Sequence, residues 1–258
     1  MAGITRRDGS EHGHRVVRAP GRTAVLARRG VGPTAGELVH EALDRAFAGS
    51  PAPAEEIVAL DAGCGRASAL TAYRARIGRF VGADIHAPAP DALPHLDEFA
   101  AVDLCSEADA FPPGSFDVVL SSFTMEHFAD PPAALRNLRA WLKPGGRLVL
   151  STVNRRHPFV WAYLAIPPRV RRPLQRLVKA SAADAHPIVG ACNDPAAVRA
   201  ALEDAGFSAI EIRTTGHLAR AWGRHLPTYV LGLLGDLGAR SIPSRRSTIV
   251  AEAIARHD

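Results

Sequence analysis

The sequence is poor in cysteine and has no long apolar run. Its three cysteines, Cys64, Cys105 and Cys192, lie far apart and form no CxxC pair. This pattern argues against a disulfide framework and a zinc site, so we expect no bound metal and a reducing, cytoplasmic environment. No uninterrupted apolar stretch approaches the roughly 20 residues needed to span a bilayer. The polar residues at the start also have no apolar core of the kind found in a secretory signal.

Aromatic residues are scarce as well. The sequence has three tryptophans and three tyrosines, which offer few surfaces for stacking on nucleic acid bases. It also contains neither an NPPY-type tetrapeptide nor a Pro-Cys dipeptide. We therefore expect no nucleic acid partner. The net charge of +5 permits an anionic partner without demanding one, and the hydrophobic fraction of 47% is ordinary for a soluble globular protein.

The chain divides into a short arm and one domain. Residues 1–30 are polar, basic and interrupted by glycine, which predicts a flexible N-terminal arm. Apolar residues at helical spacing then predict a helix over Gly36–Phe47. Residues 31–258 are interpreted as a single domain, with a cap inserted at about 155–190 because that segment is too long for a plain connection.

Strands and helices alternate along most of this domain. Strands are predicted over Ile57–Leu60, Phe80–Ala83, Ala100–Val102, Phe116–Ser121, Arg147–Thr152, Ala209–Ile212 and Thr248–Ala255. Helices are predicted over Ser68–Ile77 and Pro131–Leu142, and from Asp194-Pro195 to Gly206. Such alternation predicts an α/β fold: a doubly wound, mostly parallel seven-stranded sheet with helices on both faces and the cap after the fifth strand.

The turn after the first strand, in "VALDAGCGRAS", contains two glycines that let a ligand approach the main chain. The nicotinamide fingerprint G-x-G-x-x-G requires a third glycine where Ser68 stands, which disfavours a nicotinamide oxidoreductase. Asp61, Asp84 and Asp103 each fall at the carboxyl end of one of the first three strands. A single acid there is commonly a helix cap, but three in succession indicate a ligand with a cationic end and several hydroxyls.

These motifs resemble those of the class I S-adenosylmethionine-dependent methyltransferases, which have a Rossmann-like fold. "LDAGCGRA" is similar to the first family motif and "VGADI" to the acidic second. The stretch from "FPPGSFDVVLSS" to "LVLSTVN" is similar to the fourth and fifth motifs. The resemblance is strong over Ile57–Asn154 and weaker over "NDPAAVRAALEDAGF". Ala67 departs from the pattern, because the family usually has a third glycine there.

The resemblance implies a role for each matching residue. S-adenosylmethionine would be bound by Asp61, Gly63, Gly65, Asp84, Asp103, Leu104, Ser121 and Ser122. Asp84 would accept the ribose hydroxyls, and Asp103 with the Leu104 amide would contact the adenine. His127 follows the fourth strand and would act as a general base or support another group. In the cap, His157, His186 and Trp161 are candidate substrate contacts.

The acceptor is expected to be a small or lipid-like molecule. Aromatic and basic residues mix over 155–180, which suits contact with an anionic membrane, although a cap with a solvated basic face is equally compatible. Two other interpretations stay open: a non-catalytic protein that uses the cofactor fold for partner binding, and an enzyme that methylates a macromolecule. The sequence indicates no oligomeric state.

Overall fold

The computed structural model describes residues 32–53, 55–65, 67–86, 95–167, 169–170, 192–222 and 225–256. The predicted arm over 1–30 lies outside the described residues. Residues 171–190 of the predicted cap, including His186, also lie outside them.

Seven strands form one sheet in the described part of the chain, as the alternating pattern predicts. They are β1 (Ile57–Ala62), β2 (Ile77–Asp84), β3 (Glu98–Ala101), β4 (Phe116–Ser122), β5 (Leu142–Val153), β6 (Phe207–Thr215) and β7 (Thr248–Ala255). Their order across the sheet is β3-β2-β1-β4-β5-β7-β6. β7 is antiparallel to β5 and β6, and the other neighbouring pairs are parallel. The strand order reverses at β1: β2 and β3 are added on one side of β1, and β4 and β5 on the other. In an open α/β sheet, ligands bind outside the carboxyl ends of the strands at such a reversal point.

Helices cover both faces of this sheet. They are α1 (Ala35–Ala48), α2 (Pro131–Trp141), α3 (Pro158–Ala165), α4 (Pro195–Asp204), α5 (Leu218–Ala221) and α6 (Leu226–Ala239), with 3₁₀ helices over Ala69–Arg76, Met125–His127 and Pro243–Arg245. One apolar cluster packs α1 and the first 3₁₀ helix on one face, with Leu43 and Phe47 buried. A second cluster packs α2 and α4 on the other face, with Trp141 and Leu202 buried. The predicted fold class is confirmed.

Side-chain caps fix where the covering helices begin. Thr34 and Glu37 form a capping box, in which each side chain accepts the other residue's amide, at 2.7 and 3.1 Å. Asp130 caps α2 and Asp194 caps α4 by accepting backbone amides, and a proline follows each at the first helical position. These local signals explain why the sequence located both helix starts.

Several predicted boundaries were wrong. The helix predicted over Ser68–Ile77 is a 3₁₀ helix, and β2 already begins at Ile77. Gly78, expected to end that helix, lies inside β2, where a Cβ atom would be 2.0 Å from the Glu55 carbonyl oxygen. The strand predicted from Arg147 begins earlier, at Leu142. "KPGG", expected to precede the strand, lies within β5 at an irregularity in its pairing with β4.

The largest element that the sequence did not predict is the insertion between β6 and β7, which contains α5 and α6. β6 runs parallel to β5 because each is antiparallel to β7. Residues 216–247 therefore leave and re-enter the sheet at the edge where β1, β4 and β5 end. This helical insertion packs beside α3, since a Cβ atom at Gly235 of α6 would lie 2.7 Å from the Phe159 ring.

Candidate functional site

The glycine turn after β1 is closed at one glycine and open at the other. Gly63 has φ +83° and donates its amide to the Ala83 carbonyl at 2.7 Å. A Cβ atom at Gly63 would lie 2.2 Å from Cγ2 of Thr124, so a side chain just after β4 fills this position. Gly65 has φ +52°, and a Cβ atom there would meet no described atom within 4 Å. The space next to the turn therefore lies at Gly65.

Asp84 links the end of β2 directly to this turn. Its Oδ2 accepts the Gly65 amide at 3.0 Å, and its Oδ1 accepts the His86 amide at 3.1 Å. A carboxylate oxygen has more than one acceptor site, so both oxygens can also accept ligand hydroxyls. The structure thus brings together two residues that the resemblance assigned to the same cofactor.

Asp61 is a buried carboxylate, 2% exposed, at the other side of the same turn. Burial raises the pKa of Asp61 to about 7; a hydrogen bond with Ser68 opposes the rise, and the charge of Asp84 adds to it. A nearby cation favours the charged form of such an acid. Two carboxylates beside one open turn therefore suit a ligand with a cationic end. Burial also raises the pKa of the Cys64 thiol to about 12, so this cysteine stays protonated and unreactive at neutral pH.

Asp103 and Leu104 lie just beyond β3 and take part in local turn structure. The Asp103 carboxylate accepts the Cys105 amide and the Ser106 hydroxyl, both at 2.9 Å. The Leu104 carbonyl accepts the side-chain amide of Asn137 at 3.0 Å. Ala101, at the end of β3, pairs with Asp84, at the end of β2. Asp103 and Leu104 therefore follow the strand that neighbours Asp84. Their predicted contacts with adenine stay a prediction.

The two serines at the end of β4 have different surroundings. Ser121 is 2% exposed, and its Oγ meets no hydrogen-bond partner among the described residues. Ser122 is half-buried, and its Oγ lies 3.0 Å from Oγ of Ser151 on β5. Successive side chains of a strand point to opposite sides, which accounts for the difference. Buried hydroxyls are normally satisfied, so the unpaired Ser121 marks a place for a ligand or water.

His127 lies where the sequence predicts it, after β4 at the edge of the sheet formed by the carboxyl ends of the parallel strands. It is the last residue of the 3₁₀ helix Met125–His127, is half-buried, and donates its amide to the Thr124 carbonyl at 2.9 Å. Its neighbour Glu126 is buried and accepts the Thr152 hydroxyl at 2.8 Å. The same Thr152 oxygen accepts the Asn193 amide at 2.9 Å. This buried network ties β4, β5 and the start of α4 together, and no sequence signal predicted it.

The structure separates the candidate substrate residues of the cap. His157 is fully buried at the start of α3, where its Nδ1 accepts the Phe159 amide at 3.1 Å. Burial lowers the pKa of His157, while the Gly235 carbonyl and the charge of Asp236 oppose this shift. Trp161, on the same helix, is 63% exposed. His157 thus faces the insertion that contains α6, whereas Trp161 faces solvent, and His186 lies outside the described residues.

Phe123 and His217 are two residues at this edge that sequence reasoning missed. Phe123 directly follows β4 with φ +54°, a strained value for a residue other than glycine, and such strain concentrates at functional sites. Its ring stacks on His217 with 5.3 Å between centroids. Burial lowers the pKa of His217, while Asp236 raises it and Arg220 lowers it further. His217 follows β6, in a segment that received no prediction, so no pattern could have paired it with Phe123.

Comparison with known proteins identifies the group to which these features belong. Residues 34–212, more than half of the chain, match the family described as a methyltransferase domain. A solved S-adenosylmethionine-dependent methyltransferase from Archaeoglobus fulgidus has a TM-score of 0.52 at 17% identity, over 85% of this chain and 94% of that chain. At this identity the structural likeness shows the fold.

Two curated relatives are similar over shorter stretches. A ubiquinone biosynthesis O-methyltransferase of Cereibacter sphaeroides is 42% identical over 115 residues, covering 41% of this chain and 45% of that protein. A nocamycin O-methyltransferase of Saccharothrix syringae is 34% identical over 169 residues, covering 60% of this chain and 59% of that protein. The matches therefore span about half the length of these relatives.

Proposed function

This chain belongs to the class I S-adenosylmethionine-dependent methyltransferases, and from that premise we propose that it transfers a methyl group to an oxygen atom of a small, aromatic or lipid-like molecule. Both curated relatives are named O-methyltransferases, which supports oxygen as the acceptor atom. The match over residues 34–212 includes the strand ends at which the site is built.

The observation that carries this proposal is the acid pair at the open glycine turn. S-adenosylmethionine has a cationic amine, two ribose hydroxyls and no pyrophosphate. The buried Asp61, with its pKa raised to about 7, and the neighbouring Asp84 form an environment that a cationic ligand stabilises. A dinucleotide would bring negative charge to the same place.

We assign the predicted cofactor residues to parts of this ligand. The main chain at Gly65 would contact the methionine end, and Asp84, which holds the Gly65 amide, would accept the ribose hydroxyls. Asp103 and the Leu104 amide would contact the adenine. Ser121 and Ser122 line the path to the acceptor, and the unpaired Ser121 hydroxyl supports this because a bound ligand would satisfy it.

When bound, the cofactor supplies an activated methyl group. The chain's task is to bind both molecules, align them in line and exclude water. An acceptor hydroxyl must lose its proton, and His127 is the proposed base. His217 is a second imidazole at the same edge; burial lowers its pKa, which favours the neutral form. Rate profiles from pH 5 to 9 for His127→Gln and His217→Gln separate the two, because loss of the true base removes the acidic limb.

Aromatic side chains of the cap, of the β6–β7 insertion and at the end of β4 support an aromatic or lipid-like acceptor. Phe159 of α3 and Trp222 after α5 have parallel rings 6.3 Å apart, and the Phe123–His217 stack lies at the end of β4. The membrane contact predicted through 155–180 stays a separate prediction, which this proposal does not require. It is supported by the exposure of Trp161 (63%) and Val170 (59%) in the described part of that segment.

Transfer of a labelled methyl group tests the proposed function. The protein is incubated with S-adenosylmethionine labelled at the methyl group and an extract containing lipids, small molecules and macromolecules. We expect the label to appear in the organic phase and S-adenosylhomocysteine to form as the by-product. Label in precipitated macromolecules would instead support a macromolecular acceptor. Cofactor binding in titration calorimetry without any turnover would support the non-catalytic alternative.

A further inference from the structure

Helix α6 exposes most of its leucine and valine side chains, and most of its buried positions carry small residues. Five leucine or valine side chains are 39% to 68% exposed; they are Leu226, Val230, Leu231, Leu234 and Leu237 and are called the α6 apolar face below. The buried positions are Tyr229, Gly232, Gly235, Asp236 and Ala239. A surface helix normally turns its apolar residues toward the core. A contiguous exposed apolar surface marks an interaction site.

The packing under α6 holds the helix in this orientation. A Cβ atom at Gly232 would lie 2.7 Å from the Leu218 carbonyl, and one at Gly235 would lie 2.7 Å from the Phe159 ring. The Asp236 carboxylate accepts the Ala219 amide at 3.0 Å and the Ser247 hydroxyl at 2.9 Å. Rotation of α6 to bury its leucines would break these hydrogen bonds and force larger residues into the glycine contacts. The apolar face is therefore a fixed feature of the insertion.

The insertion that contains this face carries a positive charge balance in its sequence. Residues 216–247 contain five arginines and one acid, Asp236, a balance of +4 in a chain whose net charge is +5. The single acid is buried, 2% exposed, so it adds no negative charge to the surface. Arg240 follows the last residue of α6 and is exposed, as are Arg245 just beyond it and Arg220 on α5, which packs against Gly232 of α6. An apolar face with exposed arginines on its own and adjoining elements complements anionic phosphate headgroups.

The length of α6 indicates how it meets a bilayer. Its 14 residues span about 21 Å, less than the roughly 30 Å hydrocarbon core. Within the described part of the chain, no helix is long and apolar enough to cross a membrane. An amphipathic helix too short to span a bilayer contacts it by lying in the plane of its surface.

We propose that the α6 apolar face docks on an anionic lipid bilayer, with the flanking arginines at the phosphates. The insertion leaves the sheet at the edge formed by the carboxyl ends of β1, β4 and β5, where the candidate site lies. Docking of α6 would therefore place this site near the membrane. This inference goes beyond the proposed function, because it concerns the surface that binds a membrane. It does not depend on which molecule accepts the methyl group.

Co-sedimentation of the full chain with lipid vesicles tests the proposal. Vesicles of phosphatidylcholine are compared with vesicles that also contain phosphatidylglycerol, at low and at high salt. We expect binding to the anionic vesicles that weakens at high salt, because salt screens the attraction of arginine to phosphate. Absence of binding to anionic vesicles at low salt overturns the proposal.

A double variant locates the binding surface. Val230→Gln/Leu234→Gln removes two exposed side chains from the centre of the α6 apolar face and is expected to melt like the wild type. We expect its vesicle affinity to fall at least tenfold. Trp161→Gln tests the segment 155–180 separately and is expected to bind nearly as well as the wild type. Wild-type binding by the α6 variant, or its loss only in Trp161→Gln, overturns the proposal.

A charge-matched pair separates local from net charge. Arg220→Gln/Arg245→Gln removes two arginines beside α6, and Arg136→Gln/Arg199→Gln removes two from α2 and α4. We expect only the first pair to lose the preference for anionic vesicles; equal loss in both overturns the proposal. Sedimentation velocity supplies a last check, since a dimer that becomes a monomer in Val230→Gln/Leu234→Gln would assign the face to a second copy. Methyl transfer is measured without vesicles, so failure of the proposed function is recognised independently.

Discussion

At the residue scale, the hydrogen bond between the Gly65 amide and Asp84 determines what Asp84 can offer a ligand. This hydrogen bond orients the carboxylate, so in the proposed assignment its remaining acceptor sites would face the ribose. We expect Asp84→Ala to weaken S-adenosylmethionine binding by about 1–3 kcal/mol, since charge-assisted hydrogen bonds are lost. Titration calorimetry measures the effect. The control is Glu98→Gln, an exposed acid on β3, and equal affinity in Asp84→Ala and this control would contradict the assignment.

The two glycines of the turn are expected to differ in what an alanine does. In Gly63→Ala the new Cβ would meet Thr124 at 2.2 Å, so we expect a clearly lower melting temperature. In Gly65→Ala the Cβ meets open space and costs only about 1–2 kcal/mol for the positive φ. That variant should fold but bind S-adenosylmethionine more weakly, because its methyl group occupies the space beside the turn. Thermal melting and titration calorimetry check both, and undiminished binding by Gly65→Ala would place the ligand elsewhere.

At the scale of elements, the β6–β7 insertion depends on close contacts of α6 with its neighbours. Gly235 faces the Phe159 ring, whereas a Cβ atom at Gly238 would meet no described atom within 4 Å. Gly238→Ala should therefore stabilise the protein by about 0.5–1 kcal/mol through helix propensity. Gly235→Ala should destabilise it by about 1–3 kcal/mol through overpacking. Urea unfolding measures both, and an equal gain in stability would show that α6 does not pack on α3 this way.

At the scale of the whole molecule, Asp61 makes the stability of the ligand-free protein depend on pH. Its pKa is about 7 in the fold against 3.8 for the ordinary group, so the folded state holds more protons between these values. Stability from this group is therefore lost as pH rises from about 4 to 7, by at most about 1.4 kcal/mol per pH unit. We expect Asp61→Asn to lack this loss.

Urea unfolding at pH 5, 6, 7 and 8 checks this prediction in the absence of ligand. The wild type and Asp61→Asn should differ most at pH 8, where the wild-type carboxylate is charged. A parallel pH dependence in the two proteins would contradict the raised pKa. Addition of S-adenosylhomocysteine, which has the same cationic amine, should reduce the difference at pH 8.

Sequence patterns determined the fold class and the position of the glycine turn because both depend on local information. A buried strand such as β1 appears as an apolar run, and Asp130 or Asp194 before proline marks a helix start. The carboxyl ends of parallel strands meet at one edge, so Asp61 and Asp84 could be assigned to the same site from their order alone.

Tertiary structure decided everything that depends on contacts between distant residues. The stack of Phe123 on His217, the Glu126–Thr152–Asn193 network and the outward orientation of the leucines of α6 have no local signature. The leucines of α6 would have been assigned to a core by their hydrophobicity. They face solvent because the inner side of α6 is occupied by glycine contacts and a hydrogen-bonded carboxylate, which only the packing of α3, α5 and α6 together can impose.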